Sequence, residues 1–159
     1  MEKRAKKVSE SSVVLAQIML PADTNPTGHV HGGTIMKLID NAAYVVAARH
    51  TAGNAVTVSI DRLDFHCPVF LGNLVTLKAS MNRAGRTSME VGVRVEAEDL
   101  MTGEVRNTSS AYLTFVALGA DGRPTLVPEL IAETDEDTRR FAEAADRYSF
   151  RKSTKKPVL

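Results

Sequence analysis

Tryptophan is absent from this chain of 159 residues, and cysteine occurs once, as Cys67. A lone cysteine excludes an intrachain disulfide, so the fold must stand on its own core, and it points to a reducing compartment. No apolar run approaches the roughly 20 residues that a membrane-spanning helix needs. The stretch from Val13 to Leu20 is interrupted by Gln17 and followed by Pro21 rather than by a small-residue cleavage site, so the basic start MEKRAKK does not read as a signal peptide. The expectation is a cytoplasmic protein with no membrane association. Internal repeats and low-complexity blocks are missing too, and the length suits one domain with a core that needs no staples.

Charge of one sign is also lacking overall: the net is +1, unevenly spread. Residues 1–7 sum to +3, residues 151–159 to +4, and the body between them to −6. Basic ends on an acidic body do not make a nucleic-acid groove. They read as solvated tails over residues 1–10 and 151–159, the sharper alternative being a tail that reaches an anionic group such as a nucleotide phosphate.

What is present is strong alternation. Residues 11–20 are β-branched and apolar enough for a strand, residues 21–31 are dense in turn formers, and residues 32–50 read as a helix closed by Gly53 and Asn54. That helix has only a narrow polar arc (Lys37, Asn41, Tyr44, Ala48), so it demands cover on most sides, which a curved sheet can supply. Residues 55–66, 74–82, 88–97 and 104–118 read as strands joined by short turns, hence antiparallel. A second, more polar helix is expected over 128–147, with an acidic start that suits a helix N-terminus. The order implies an α+β fold, with the domain at 11–127 and a C-terminal surface helix within 128–150.

Chemistry concentrates in residues 23–40, DTNPTGHVHGGTIMKLID. Gly32 and Gly33 stand where a helix begins, and there the free backbone N–H groups and the helix dipole suit an oxyanion. Asp40 lies two turns on, at the edge of an apolar helix, where a carboxylate is costly unless paired or used. Plainer readings stand beside these: an exposed helix carboxylate for Asp40, an Asx turn before Pro26 for Asn25, and turn geometry for the glycines.

The pattern N-x-x-G-x-x-x-G-G-x-x-x-x-x-x-D, carried by Asn25, Gly28, Gly32, Gly33 and Asp40, resembles that of the hot-dog-fold acyl-CoA thioesterases, in particular the bacterial short-chain and brain-type cytosolic acyl-CoA hydrolase group. DRLDFHCPVF (61–70), RAGRTSMEV (83–91) and AYLTFVA (111–117) resemble further segments of that family, and the likeness extends over about residues 12–130. It implies an antiparallel sheet wrapped around a long central helix and hydrolysis of acyl-CoA to fatty acid and CoA, with no cofactor beyond the CoA of the substrate. By resemblance, Asp40 is the general base, with direct attack by it left open. Asn25 positions water or carbonyl, and the N–H near Gly33 holds the oxyanion. His31 and Gly32 line the site, and Arg83, Gly85, Arg86, Thr87 and Ser88 cradle the CoA moiety, a hairpin turn with incidental charge being the plainer reading. The family also implies a homodimer, or a hexamer of three dimers, and allows Asn25 and Asp40 to come from different subunits. One departure is His31, with His29 nearby, where many relatives carry an apolar residue.

Rival readings are weaker. His29, His31 and His66 as a metal site would need strand alternation that a turn does not provide, so no metal is expected. Cys67 as a nucleophile has no assignable base. A hot-dog hydratase or dehydratase, using His31, and a non-catalytic acyl-CoA-binding module keep the fold and change the activity.

Overall fold

The computed structural model describes residues 4–155. Eight strands and two long helices follow one another as β1 (Lys6–Lys7), β2 (Val13–Ile18), α1 (Gly32–Thr51), β3 (Asn54–Ile60), β4 (Asp64–Phe65), β5 (Leu74–Ala84), β6 (Ser88–Glu98), β7 (Val105–Leu118), β8 (Leu130–Ile131) and α2 (Asp135–Thr154). Six of the strands form one antiparallel sheet in the order β2-β5-β6-β7-β3, with β4 extending the β3 edge along β7. The sheet wraps α1, which is the hot-dog arrangement.

Alternation sets which face is dry. Register places Met81 opposite Val91 and Val91 opposite Leu113, so these side chains form one row across three strands. Val75, Leu77, Ala79, Met89, Val93, Val95, Ala111, Phe115 and Ala117 extend that face and are all buried. α1 meets it with Ile35, Ile39, Ala42, Ala43, Val46, Ala47 and His50, a stripe of three-and-four spacing. The alanines let helix and sheet approach closely, and each buried Ile or Val contributes about 1.5–3 kcal/mol.

The expected strand over 55–66 divides in two. β3 carries a bulge between Thr57 and Ser59, and the chain turns at residues 61–63, where the Asp61 N–H bonds the Tyr112 carbonyl before β4 resumes pairing at Ser109 and Ser110. Helix cover is also less complete than the sequence implies. The sheet covers one face of α1 and leaves Met36 at 42% and Tyr44 at 44% exposure on the other.

The second helix is displaced from its expected 128–147 to Asp135–Thr154. Thr134 and Asp137 cap it reciprocally: the Asp137 N–H donates to Thr134 Oγ1 (3.1 Å) and the Thr134 N–H to Asp137 Oδ2 (3.2 Å). Its last two turns are held on the outer face of the sheet by Arg147 and Arg151, which pair with Glu90 and Asp61. The stretch before it stays extended, and β8 pairs in parallel with β1, inside the segment read as an N-terminal tail. The Ser9 N–H donates to the Glu133 carboxylate at 2.9 Å, which holds that carboxyl below its ordinary pKa. Residues 1–3 and 156–159 of the expected tails lie outside the described residues.

Candidate active site

The loop before α1 is built around Asn25. Its Oδ1 accepts from the Thr27 N–H (3.0 Å), the Thr27 hydroxyl (2.7 Å) and the His29 N–H (3.1 Å). The expected Asx turn is therefore real, and it orients the side chain rather than competing with a functional role. Gly28 sits at φ +84°, the left-handed region that a glycine adopts without strain. The Thr27 hydroxyl has one proton, and it is spent on Asn25. The 2.9 Å contact with His29 Nδ1 is thus a donation from the ring. The His29 ring rests against Phe70 at 5.1 Å.

This loop delivers the chain to the start of α1. The His31 N–H bonds the Asp23 carbonyl, and its own carbonyl accepts from Thr34 and Ile35. Its side chain makes no capping bond, so the N–H groups of Gly32 and Gly33 remain available at the helix N-terminus. Gly32 and Gly33 are exposed, and the space where a Gly33 Cβ would stand is open for 4 Å. The arrangement fits a small oxyanion held by backbone N–H groups.

Asp40 is half-buried on α1, and its Oδ1 accepts from the Thr57 hydroxyl of β3 at 2.7 Å. No cation pairs with it among the described residues. This is a carboxylate fixed in orientation by a neutral donor, with its remaining lone pairs free to take a proton.

The structure does not bring all the expected residues together within one chain. Asn25, His29, His31, Gly32 and Gly33 cluster at the N-terminal end of α1. Asp40 lies seven residues on, about 10 Å along the axis at 1.5 Å per residue. Arg83, Gly85, Arg86, Thr87 and Ser88 form the tip of the β5–β6 hairpin, closed by the Gly85 N–H on the Ser88 carbonyl at 2.8 Å. Register puts Thr57 level with Phe115, Met89 and Ala84, so the Asp40–Thr57 pair faces the hairpin end of the sheet and the Asn25 loop faces the other. Arg83 is already engaged, its guanidinium lying 4.1 Å over the Tyr148 ring of α2, while Arg86 is exposed. Among the described residues no group of three or more His, Cys, Asp or Glu side chains is placed to hold a metal ion.

Comparison with known proteins fits this geometry. The thioesterase superfamily model matches residues 27–104. The acyl-CoA thioester hydrolase YkhA of Bacillus subtilis, itself uncharacterised, is 40% identical over 147 residues, spanning 92% of this chain and 86% of that protein. The chain belongs to the thioesterase superfamily. Among solved structures of this superfamily, the acyl-CoA hydrolase of Staphylococcus aureus, bound to butyryl-CoA, CoA and CoA disulfide, superimposes with a TM-score of 0.87 at 34% identity, over 94% of this chain and 91% of that one. Its structures include variants in which an aspartate, an asparagine or a threonine is replaced by alanine, the same three residue types as Asp40, Asn25 and Thr57. An apo-hexameric acyl-CoA thioesterase gives a TM-score of 0.90 at 36% identity, over 95% and 97% of the two chains. No helix among the described residues of this thioesterase-family enzyme is long and apolar enough to cross a membrane.

Sequence reasoning missed Thr57. It lies 17 residues from Asp40 on an alternating strand, and only the packing of α1 on β3 reveals the bond.

Proposed function

We propose that the protein hydrolyses acyl-CoA thioesters, with Asp40 as general base and the N–H groups at the start of α1 as the oxyanion site. The observation that carries the reading is the Thr57–Asp40 hydrogen bond. It aims a carboxylate without neutralising it, in a fold whose helix N-terminus is left open by Gly32 and Gly33.

In this mechanism Asp40 takes a proton from water as the oxygen attacks the thioester carbonyl carbon. The carbonyl π electrons move to oxygen, where the backbone N–H at Gly33 stabilises the charge. Collapse re-forms the carbonyl, breaks the C–S bond and releases CoA thiolate, which recovers the proton from Asp40. Asn25, its Oδ1 engaged within the loop, offers its amide N–H to the water or carbonyl. The hairpin residues Arg86, Thr87 and Ser88, with Gly85, contact the CoA moiety, and Arg83 supports them from its stack on Tyr148.

The spacing along α1 makes this a two-chain site. A carbonyl oxygen on Gly33 and an attacking water on Asp40 are separated by about 3 Å, not by the roughly 10 Å of helix between those residues. Two copies lying antiparallel along α1 bring Asn25 and Gly33 of one to Asp40 of the other. The surface that would pair is apolar and uncovered in the single chain: Met36 and Tyr44 on α1, and Val56, Val58 and Ile60 on β3, whose outer edge is unpaired. Three such dimers would make a hexamer.

The test is thiol release from a panel of acyl-CoAs, acetyl to palmitoyl, by the wild type and Asp40→Asn. Turnover by the wild type that collapses in a folded variant supports the reading. A wild type that releases no thiol from any member sinks it.

A further inference from the structure

Phe65 is the aromatic that the mechanism does not use. Leu63, in the turn before β4, packs against the core, and Phe65 follows it on the strand. Phe65 is 47% exposed. Its neighbour Asp64 is occupied with Arg62 at 2.7 Å. The ring lies at the start of α1, where a Cβ on Gly32 would stand 3.5 Å from both Cε2 and Cζ. That is ordinary van der Waals contact, so the glycine is not forced by the ring. Its bare Cα instead leaves a slot the width of a Cβ beside the phenyl edge, at the residue that opens α1.

We infer that Phe65 is a substrate-touching residue that seats the thioester group itself, its ring forming the apolar wall of the slot opposite the helix N-terminus. The inference rests on the hydrolase reading above. A thioester is planar, with a polarizable sulfur and an α-methylene that both pack well on an aromatic edge, while its carbonyl oxygen needs the N–H groups. Both requirements meet at Gly32. The ring lies within one van der Waals contact of the first helical residue, so it reaches atoms next to the carbonyl and not the far end of an acyl tail. A phenyl there holds the sulfur side of the group and keeps water off that side, leaving attack to the face served by Asp40.

The position makes a distinctive kinetic prediction. Full-length Phe65→Leu and Phe65→Ala are compared with wild type on acetyl-, butyryl-, octanoyl- and palmitoyl-CoA, with native mass and thermal midpoint recorded for each. The expected result is an unchanged assembly and a loss in kcat/KM of about tenfold in the leucine variant and more in the alanine variant, the same factor at every chain length and borne by KM as well as kcat. A loss that grows with chain length, no loss at all, or a changed native mass overturns the inference, the last because Phe65 would then be closing a subunit contact. Calorimetric binding of S-propyl-CoA, a thioether that cannot be hydrolysed, separates this inference from the reading beneath it. If the wild type turned over no acyl-CoA, the hydrolase reading would fall, and equal binding of the thioether by wild type and Phe65→Ala would remove the Phe65 contact as well.

Discussion

Two carboxylates in this molecule are treated in opposite ways. Glu90, on β6 under α2, is 2% exposed and saturated: Arg147 reaches it through Nη2 at 2.7 Å and Nε at 3.2 Å, Asn82 donates at 3.1 Å, and Arg151 lies 3.5 Å away. Burial alone would lower the Arg147 pKa, but the hydrogen bond and charge of Glu90 outweigh it and hold the guanidinium above its ordinary value. The same guanidinium lies 3.6 Å over the Tyr112 ring. Asp40, between α1 and the β3 edge, receives one bond from a hydroxyl and no cation. The first region uses charge to dock a helix. The second fixes a carboxylate in orientation without a counter-charge, the arrangement that the proposed mechanism uses.

Removing each group should break the comparison in a different observable. Asp40→Asn is expected to lower kcat about a thousandfold, within the range of a lost general base, while the thermal midpoint reports a stability change under about 1 kcal/mol. Unimpaired turnover in that variant would remove Asp40 from the mechanism. Glu90→Ala should do the reverse, leaving the half-buried Arg147 uncompensated and Arg151 paired with Asp61 alone, at a cost of about 3 kcal/mol in thermal or urea unfolding, with turnover per folded molecule retained. A smaller version of the same failure is expected from Gly92→Ala, since the new Cβ would stand 2.7 Å from Asn82 Nδ2 and push it off Glu90. Thr57→Val sharpens the contrast at the site: kcat falls about tenfold as Asp40 loses its one oriented bond, while the thermal midpoint stays where it is. The smallest effect belongs to Thr134→Ala, which unties the start of α2 and costs about 1 kcal/mol in unfolding with no change in kcat.

The sheet was legible in the sequence because alternation is local. Met89, Val91, Val93 and Val95 name their own face, and the turns between strands fix antiparallel order. The break at residues 61–63 was not legible, since Arg62 and Asp64 alternate with Leu63 as a continuous strand would. α2 was misplaced by a half-turn signal: Pro128 and the acidic residues after it look like a helix start, whereas the reciprocal cap of Thr134 and Asp137 sets it, and β1 keeps the preceding residues extended. At the site, Asn25, Gly33 and Asp40 stand in one short motif and could be singled out together. Thr57, Phe65 and the Glu90–Arg147 pair could not, because each depends on contacts between segments that the chain separates by 17 to 57 residues.

The pairing of β1 with β8 has a consequence for how the chain is made. Ser9 bonds a residue 124 positions later, and Lys6 and Lys7 pair beside it with Leu130 and Ile131. β1 therefore stays unpaired until the long segment between it and β8 has been made. Its pairing closes one of the longest loops in the fold, which makes it a late step that the sheet and α1 do not need in order to form.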